Sequence, residues 1–397
     1  MKSNYRYIVK AFMAMAVIAG TTSCDDFLDR EPMSSISPET YYSTAAQLEA
    51  NLNDEYPNVL PSFGQWTYGI FGEDKGTDNQ IEVNANDRYT QDRWKVPHSE
   101  SDNWKFERIY RINFFLSEAL PKFGEDMSGS QNTISGSVAT IKHYIGEMYF
   151  LRAYEYFKKL QLFGDFPIIN QPLADEMEAL REASKRFPRN EVARFIISDL
   201  DKAYAYMSDV DMATTRINKD AAMLVKSRVA LFEATWLQNF KGTAFVPGGE
   251  GWPGASLHNN YQYPSGNLDN EVKYFLEQAV EASKLVADKY KGNLTENTGV
   301  LQQSADDPSN PYFDMFAQED LSDVKEVLLW RQYARGLSTH NINAAAGRGN
   351  YRIGLTRGFV QNFLMKDGTP VYAHGSYADG DGYYMGDKTV ADVRVNR

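Results

Sequence analysis

The chain has 397 residues, of which 43% are hydrophobic and 24% are charged, so its composition allows a packed core and excludes wholesale disorder. The formal net charge of −12 excludes electrostatic binding of nucleic acid, because a phosphate backbone needs a basic surface. The length predicts two or three domain-sized units, or one large body built from repeats.

Residues 1–23 have the pattern of a lipoprotein signal peptide. A charged start with Lys2, Arg6 and Lys10 precedes an apolar run over 11–20 that is too short to span a bilayer. Cys24, the only cysteine, follows where signal peptidase II would cleave and a lipid would be attached. Thr21 stands where such sites usually carry an aliphatic residue, and the alternative is an ordinary secretory signal with a cysteine nearby. We predict a lipid anchor on Cys24.

Helical periodicity dominates the mature chain, residues 24–397. Apolar residues recur at three- and four-residue steps over 38–53, 102–120, 135–163, 190–207, 218–240 and 269–290, with Asn190 and Asn218 as predicted N-caps. Strand patterns are limited to Val327–Trp330 and Tyr351–Leu355. Successive amphipathic helices predict a mostly α fold, in which tetratricopeptide-like helical pairs, mainly 38–53 and 102–290, form a scaffold with few short strands.

Three long polar insertions separate these helices, at 59–101, 241–268 and 291–323. Loops of this length in a compact protein are usually functional or disordered, and their aromatic residues argue against disorder. We expect the insertions to form an irregular ligand-binding face on the helical scaffold.

Four segments of the chain occur in an order that is typical of one family. They are Cys24 to Pro32 (CDDFLDREP), Leu151 to Ile168 (with LRAYEYF and FGDFPI), Pro188 to Leu200, and Arg216 to Ala222 (RINKDAA). These segments, with weaker similarity at 326–331 and 367–370, resemble the SusD/RagB family of outer-membrane nutrient-binding lipoproteins of Bacteroidetes. The family's helical motifs belong to its scaffold and imply no binding residues.

The resemblance implies a location and a partner. It implies a lipid-anchored protein at the outer membrane, on the cell surface, whose partner is a SusC-like TonB-dependent transporter. It also implies a helical body that cradles a less regular ligand-binding face. Family members usually continue well past Asp367, so we expect that a C-terminal portion is missing from this chain.

Aromatic residues in the insertions are the main candidates for ligand binding. An aromatic ring stacks on the apolar face of a sugar, while carboxylate, amide and guanidinium groups bind its hydroxyls. The first insertion supplies Trp66, Tyr68, Asp74, Asp78, Asn79, Tyr89 and Trp94, and the second supplies Trp252, Tyr261 and Tyr263. We therefore predict an oligosaccharide or polysaccharide ligand. The alternative for each ring is that it buries its loop on the scaffold.

A second candidate region has a local charge opposite to that of the whole chain. No acidic residue lies between Glu326 and Asp367, a stretch that contains Arg331, Arg335, Arg348, Arg352, Arg357 and Lys366. Because guanidinium groups suit carboxylates and sulfates, Tyr333 and Arg335 are candidates for binding an acidic sugar. The alternatives are internal ion pairs and contact with the transporter.

Sequence patterns for nucleotide binding, metal binding and nucleophilic catalysis are weak. Residues 249–254 fit GxGxxG, but a helix precedes them and Pro253 interrupts them. The five histidines lack zinc-ligand spacing, no nucleophile elbow occurs, and 379–382 lacks the ligands of a calcium loop. We predict a binding protein that is not an enzyme and has no metal and no cofactor. The alternative function is a helical-repeat lipoprotein that binds a protein or peptide instead of a sugar.

Overall fold

The computed structural model describes residues 41–63, 74–81, 103–124, 126–208, 212–300, 304, 306–334, 336, 339–340, 354–365, 367–370 and 373. Its helices are α1 (Ala45–Val59), α2 (Glu107–Phe123), α3 (Val138–Phe163), α4 (Met177–Ala183), α5 (Arg189–Tyr206), α6 (Lys219–Asn239), α7 (Leu268–Tyr290), α8 (Pro311–Met315) and α9 (Arg357–Gln361). A 3-10 turn covers Pro253–Ser256, and strands β1 (Gln80–Ile81) and β2 (Gly354–Leu355) pair antiparallel. The prediction of a mostly α fold with few short strands is confirmed.

The long predicted helices are present with shifted ends, and their caps explain some of the shifts. Thr44 caps α1 and forms a capping box with Gln47, so the described helix begins later than 38. Asn218 caps α6 as predicted, because its side chain accepts a hydrogen bond from the backbone N of Ala221. The predicted cap at Asn190 is wrong: Pro188 occupies the cap position of α5, and Asn190 is buried inside the first turn.

Helix α3 is the centre of the body. It packs against α1, α2, α5 and α6, while α6 also packs against α5 and α7. Most side chains of α3 are buried, including Ile141, Ile145, Met148 and Tyr156, as the helical period predicts. Gly146 lets α3 and α5 approach closely, because a Cβ atom there would lie 2.8 Å from the backbone N of Met207.

Buried ion pairs tie the helices together. Arg152 of α3 binds Asp199 of α5 through two hydrogen bonds of 2.7 and 2.8 Å. Further pairs join Arg189 to Glu233, Arg194 to Glu271 and Arg216 to Glu147. The four arginines of these pairs all fall within the segments typical of the family: Arg152 in the second segment, Arg189 and Arg194 in the third, and Arg216 in the fourth. These arginines therefore hold the scaffold, because removing one partner would leave a buried charge unpaired.

The connections between the helices lie at two ends of the body, one near the start of α3 and one near its end. Near the start of α3, the Nε2 atom of His143 lies 3.0 Å from the carbonyl oxygen of Ile217, just before α6. Just after α3, the carboxylate of Asp165 accepts a hydrogen bond of 2.8 Å from the backbone N of Arg189. We call these the N-terminal end and the C-terminal end of α3.

Two connections after α6 occupy opposite ends of the body. The α6–α7 loop (240–267) lies at the C-terminal end of α3, where Trp252 Nε1 donates to Asp165 at 2.7 Å. The segment from 291 to 330, which we call the distal insertion, lies at the N-terminal end. There Asn218 Nδ2 donates to the carbonyl oxygen of Leu328 at 2.7 Å.

The strand predictions are partly right. Val327–Trp330 is not a strand, and Trp330 instead donates from its backbone N and its Nε1 to Thr214, at 3.2 and 2.8 Å. Within Tyr351–Leu355, Gly354 and Leu355 form β2, and 351–353 lie outside the described residues. No described helix combines the length and the apolar character that a membrane span needs.

Candidate functional site

The described part of the first insertion lies beside the C-terminal part of the chain. Asp74 and Asp78 are exposed, and the strand pair places Gln80 opposite Leu355. Thr356 Oγ1 donates a hydrogen bond to the backbone carbonyl of Asp78. The predicted ring residues of this insertion, Trp66, Tyr68, Tyr89 and Trp94, lie outside the described residues.

The arginine-rich stretch starts against the same insertion. The Tyr333 hydroxyl lies 3.4 Å from both the backbone N and the carbonyl oxygen of Phe63. Arg331 Nη1 donates to Ser62 Oγ at 2.6 Å, and its guanidinium lies 5.5 Å from the centre of the Tyr333 ring. Arg335 lies outside the described residues. The start of the arginine-rich stretch and the first insertion, which the sequence does not link, are therefore in contact.

The α6–α7 loop folds its rings inward. Trp252 is only 5% exposed, and its indole packs against His258 and Tyr261 while its Nε1 binds Asp165. A Cβ atom at Gly254 would lie 2.2 Å from the Trp252 ring, so glycine is what lets the chain cross over it. The burial corrects the hypothesis that Trp252 offers a face to a sugar, because the ring fastens the loop to the helices.

Tyr261 is also engaged by the scaffold. Its hydroxyl exchanges hydrogen bonds of 2.9 and 3.1 Å with the amide of Asn190, which in turn donates to Glu271 at 3.0 Å. Glu271 accepts two further bonds from Arg194, at 2.7 and 2.8 Å, and one from the backbone N of Ser265 at 3.1 Å. This network fixes the end of the loop to α5 and α7, so Tyr261 has a structural role in this structure.

Ionisation at the loop follows from burial. Burial raises the pKa of Asp165, although hydrogen bonds from Trp252 and the backbone N of Arg189 act in the opposite direction. Burial would also raise the pKa of Glu271, but the hydrogen bonds from Arg194, Asn190 and Ser265 outweigh it and hold that pKa below 4.5. Of the two carboxyl groups that anchor the loop, one therefore has a raised pKa and the other a lowered pKa.

The distal insertion, which the sequence predicts as part of the ligand-binding face, presents residues that the sequence analysis did not single out. Asn310 caps the short helix α8, and a cleft of about 480 Å³ adjoins it. The cleft is mainly polar; its lining includes Asn293, Thr295, Ser309, Asp314, Gln318 and Lys325. Amides, hydroxyls and carboxylates of this kind are the groups that bind sugar hydroxyls.

The other face of α8 carries aromatic rings. Tyr312, Phe313 and Phe316 are 41%, 44% and 72% exposed, and the rings of Tyr312 and Phe316 meet edge to face at 5.3 Å. Pro311, Asp314 and Met315, which line the cleft, lie on the opposite face, because residues three and four apart share a helix face. The signal in the sequence was three rings within five residues of a polar insertion, directly after Asn-Pro.

A hollow within the helical pairs has both charged and apolar residues in its lining. It has a volume of about 360 Å³ between α5 and α7, and Arg194, Asp201 and Lys202 line it beside Ile197 and Tyr274. The alternative of a protein-binding scaffold predicts an apolar groove in this part of the body, and Ile197 and Tyr274 give the hollow apolar surface beside its charged residues. The described residues contain no group of three or more side chains placed to hold a metal ion.

Comparisons with known proteins all find similarity to SusD-like proteins. A family model described as SusD-like, starch-binding and associating with the outer membrane matches residues 26–231, slightly more than half of the chain. Two SusD-like proteins of Formosa agariphila are each 25% identical, over 233 and 253 residues, which is 54% and 61% of this chain. These matches cover 41% and 46% of the relatives, so the chain aligns with less than half of their length.

The fold is similar to that of a solved relative. A SusD-like carbohydrate-binding protein from Bacteroides fragilis superposes with a TM-score of 0.53 at 14% identity. The superposition covers 85% of this chain and 56% of that protein. At this identity the likeness concerns the fold.

Proposed function

Because the chain belongs to the SusD-like family of starch-binding proteins that associate with the outer membrane, we propose that it binds a glycan at the cell surface and delivers it to a TonB-dependent transporter. The protein would capture the glycan without cleaving it. The signal peptide over 1–23, the lipid on Cys24 and the mature body over 24–397 are parts of this proposal.

Helix α8 is the observation that carries the glycan proposal. A sugar ring has an apolar face and a rim of hydroxyls, so its binding site needs aromatic rings close to polar groups. In the distal insertion α8 and the residue that follows it provide both: Tyr312 and Phe316 expose their rings, while Asp314 on the opposite face of α8 lines a polar cleft. Exposed large rings clustered on one short helix are typical of a binding surface.

The first insertion and the arginine-rich stretch form a second part of the proposed binding face. Asp74, Asp78, Tyr333 and Arg335 belong to it together with the rings of the first insertion, Trp66, Tyr68, Tyr89 and Trp94. Support comes from the contacts of Tyr333 with Phe63 and of Thr356 with Asp78, which join these two segments. Trp252 and Tyr261 are not included, since both serve the scaffold.

Titration calorimetry against soluble starch, laminarin, galactomannan and xyloglucan tests the proposal. For the polysaccharide that binds most tightly, Phe316→Ala and Tyr312→Ala are expected to weaken binding about tenfold, within the range of about 1–3 kcal/mol for an aromatic anchor. Phe245→Ala is the matched control, because Phe245 is 61% exposed but lies in the α6–α7 loop at the other end of the body.

Two outcomes would contradict this proposal. Absence of binding to every polysaccharide would reject the glycan function and favour the protein-binding alternative, for which exposed Leu231 and Val280 on α6 and α7 offer a surface. Binding that survives both α8 substitutions, or that falls equally in Phe245→Ala, would reject α8 as the site.

The anchor is tested by Cys24→Ala in cells labelled with a radioactive fatty acid. Because Cys24 is the only thiol, its loss should abolish incorporation of label and release the protein from the membrane fraction. Ser23→Ala is the control and should keep both label and location. Label that persists without Cys24 would contradict the lipoprotein proposal.

A further inference from the structure

The distal insertion carries a large excess of negative charge around α8. Residues 291–326 contain eight aspartates and glutamates against two lysines, which gives a formal charge of −6. Half of the net charge of −12 of the whole chain therefore falls in fewer than a tenth of its residues. A local concentration of one charge sign sets the potential that an approaching ligand meets.

Three buried acids of the helical body are paired with arginines, whereas Asp314 and Asp320 at α8 have no such pair in the described part of the chain. Buried Asp199, Glu233 and Glu271 each bind an arginine. In the distal insertion, by contrast, no lysine or arginine of the described part of the chain forms a salt bridge with Asp314 or Asp320. Hydrogen bonds from the Ser322 side chain and backbone lower the pKa of Asp320, which holds its carboxylate in the charged form.

Several acidic residues lie on α8 or close to it in the chain. Asp314 and Asp323 line the cleft. The backbone N of Tyr312 donates to the carbonyl oxygen of Glu296 at 3.1 Å, so Glu296 lies beside α8, and Glu319 and Asp320 lie within five residues of the helix end. A ligand at α8 would approach these carboxylates, and physiological salt, with a Debye length of about 8 Å, screens charges at short range only in part.

We infer that the site at α8 takes an uncharged glycan and rejects glycans that carry carboxylates or sulfates. The inference rests on the proposed function and names the ligand class of the same site. Stacking and hydroxyl contacts are equally available to neutral and acidic sugars, so the acids around α8 decide between them through like-charge repulsion. Specificity in this form comes from what the site repels as much as from what it binds.

The experiment compares two sets of probes on the full chain by titration calorimetry. The neutral set is soluble starch, laminarin, galactomannan and xyloglucan, and the anionic set is polygalacturonate, alginate and carrageenan. At low salt we expect a neutral polysaccharide to bind at least tenfold more tightly than any anionic one. Salt near 1 M, where the Debye length is about 3 Å, should narrow that difference without changing the affinity for the neutral ligand.

Charge variants identify the cause of the selectivity. Glu296→Gln, Glu319→Gln and Asp320→Asn, combined in one protein, should raise the affinity for anionic polysaccharides about threefold to tenfold at low salt. Affinity for the neutral ligand should stay within about twofold. The control combines Glu176→Gln, Glu178→Gln and Glu182→Gln around α4, which removes the same number of exposed carboxylates outside the distal insertion and should leave selectivity unchanged.

The outcomes separate this inference from the proposed function. No binding by either set overturns both. An anionic polysaccharide that binds most tightly, with an affinity that falls as salt rises, overturns the inference alone and favours the arginine-rich stretch as the ligand contact. Weak anionic binding that neither salt nor the α8 charge variants improve also overturns it, because repulsion would then not be the cause.

Discussion

The α6–α7 loop and the distal insertion are built from the same kinds of residue, yet their aromatic rings end in opposite environments. Trp252 of the loop is 5% exposed, whereas Phe316 of the insertion is 72% exposed. The loop offers its rings polar partners on the scaffold: Asp165 accepts from Trp252, and Asn190 bonds Tyr261. Composition alone does not distinguish a loop that packs from a loop that binds, because the difference lies in the partners that the helices supply.

The largest expected effect is the loss of stability in Trp252→Ala. Removing this buried ring and the partner of Asp165 should lower the free energy of unfolding by about 3–5 kcal/mol, measured by urea denaturation. Phe245→Ala in the same loop is the control and should change it by less than about 0.5 kcal/mol, because its ring is exposed. A loss below about 1 kcal/mol in Trp252→Ala would contradict the contrast between the packed loop and the exposed insertion, since the loop would then not depend on the Trp252 ring.

Glu271→Gln should have an intermediate effect that depends on pH. The pKa of Glu271 is held below 4.5 in the folded protein, so its contribution to stability is present above pH 4.5 and is lost as pH falls through the folded value. At pH 7 the variant should be less stable by about 1–3 kcal/mol, because it loses charge-assisted hydrogen bonds to Arg194. The difference should shrink in acid.

Urea denaturation at a series of pH values from 7 downward measures this effect. The control Glu277→Gln breaks only an exposed pair with Lys273 and should cost less than about 1 kcal/mol. A deficit in Glu271→Gln that stays the same over the whole series would contradict the assigned role of its charge.

The smallest expected effect is in the distal insertion. Phe316→Ala should change the free energy of unfolding by less than about 0.5 kcal/mol, although it removes a large ring, because that ring is exposed. Its neighbour Met315 is buried, so Met315→Ala should cost about 2–3 kcal/mol and serves as the matched contrast. If Phe316→Ala cost more than about 1.5 kcal/mol in urea denaturation, its ring would be a packing residue like Trp252.

The long helices could be predicted from sequence because their signals are local. Apolar residues such as Ile141, Ile145 and Met148 repeat at the helical period, and all of them are buried. The predicted N-cap at Asn218 was right for the same reason, since a cap depends on residues within one turn. Short helices such as α8 escaped prediction because five residues carry too little periodic signal.

Tertiary partners explain what could not be predicted. Asn190 looked like a cap, but its amide is drawn into the interior by Tyr261 and Glu271. The run at Val327–Trp330 has the composition of a strand, but Trp330 finds its hydrogen-bond partner in Thr214 instead of a neighbouring strand. Neither outcome is visible in a local pattern, since each depends on residues far away in the chain. Whether an aromatic ring packs on the scaffold, as Trp252 does, or stays exposed, as Phe316 does, also depends on residues far away in the chain.

The short strand pair also bears on the order in which the protein folds. β1 and β2 align only Gln80 with Leu355 and Ile81 with Gly354, yet these two pairs of residues are far apart in the sequence. Two residues of pairing contribute too little to offset the entropy of closing so long a loop on their own. The pair can therefore form only after the helical body has assembled between them, which makes the junction of the first insertion with the C-terminal segment a late event in folding.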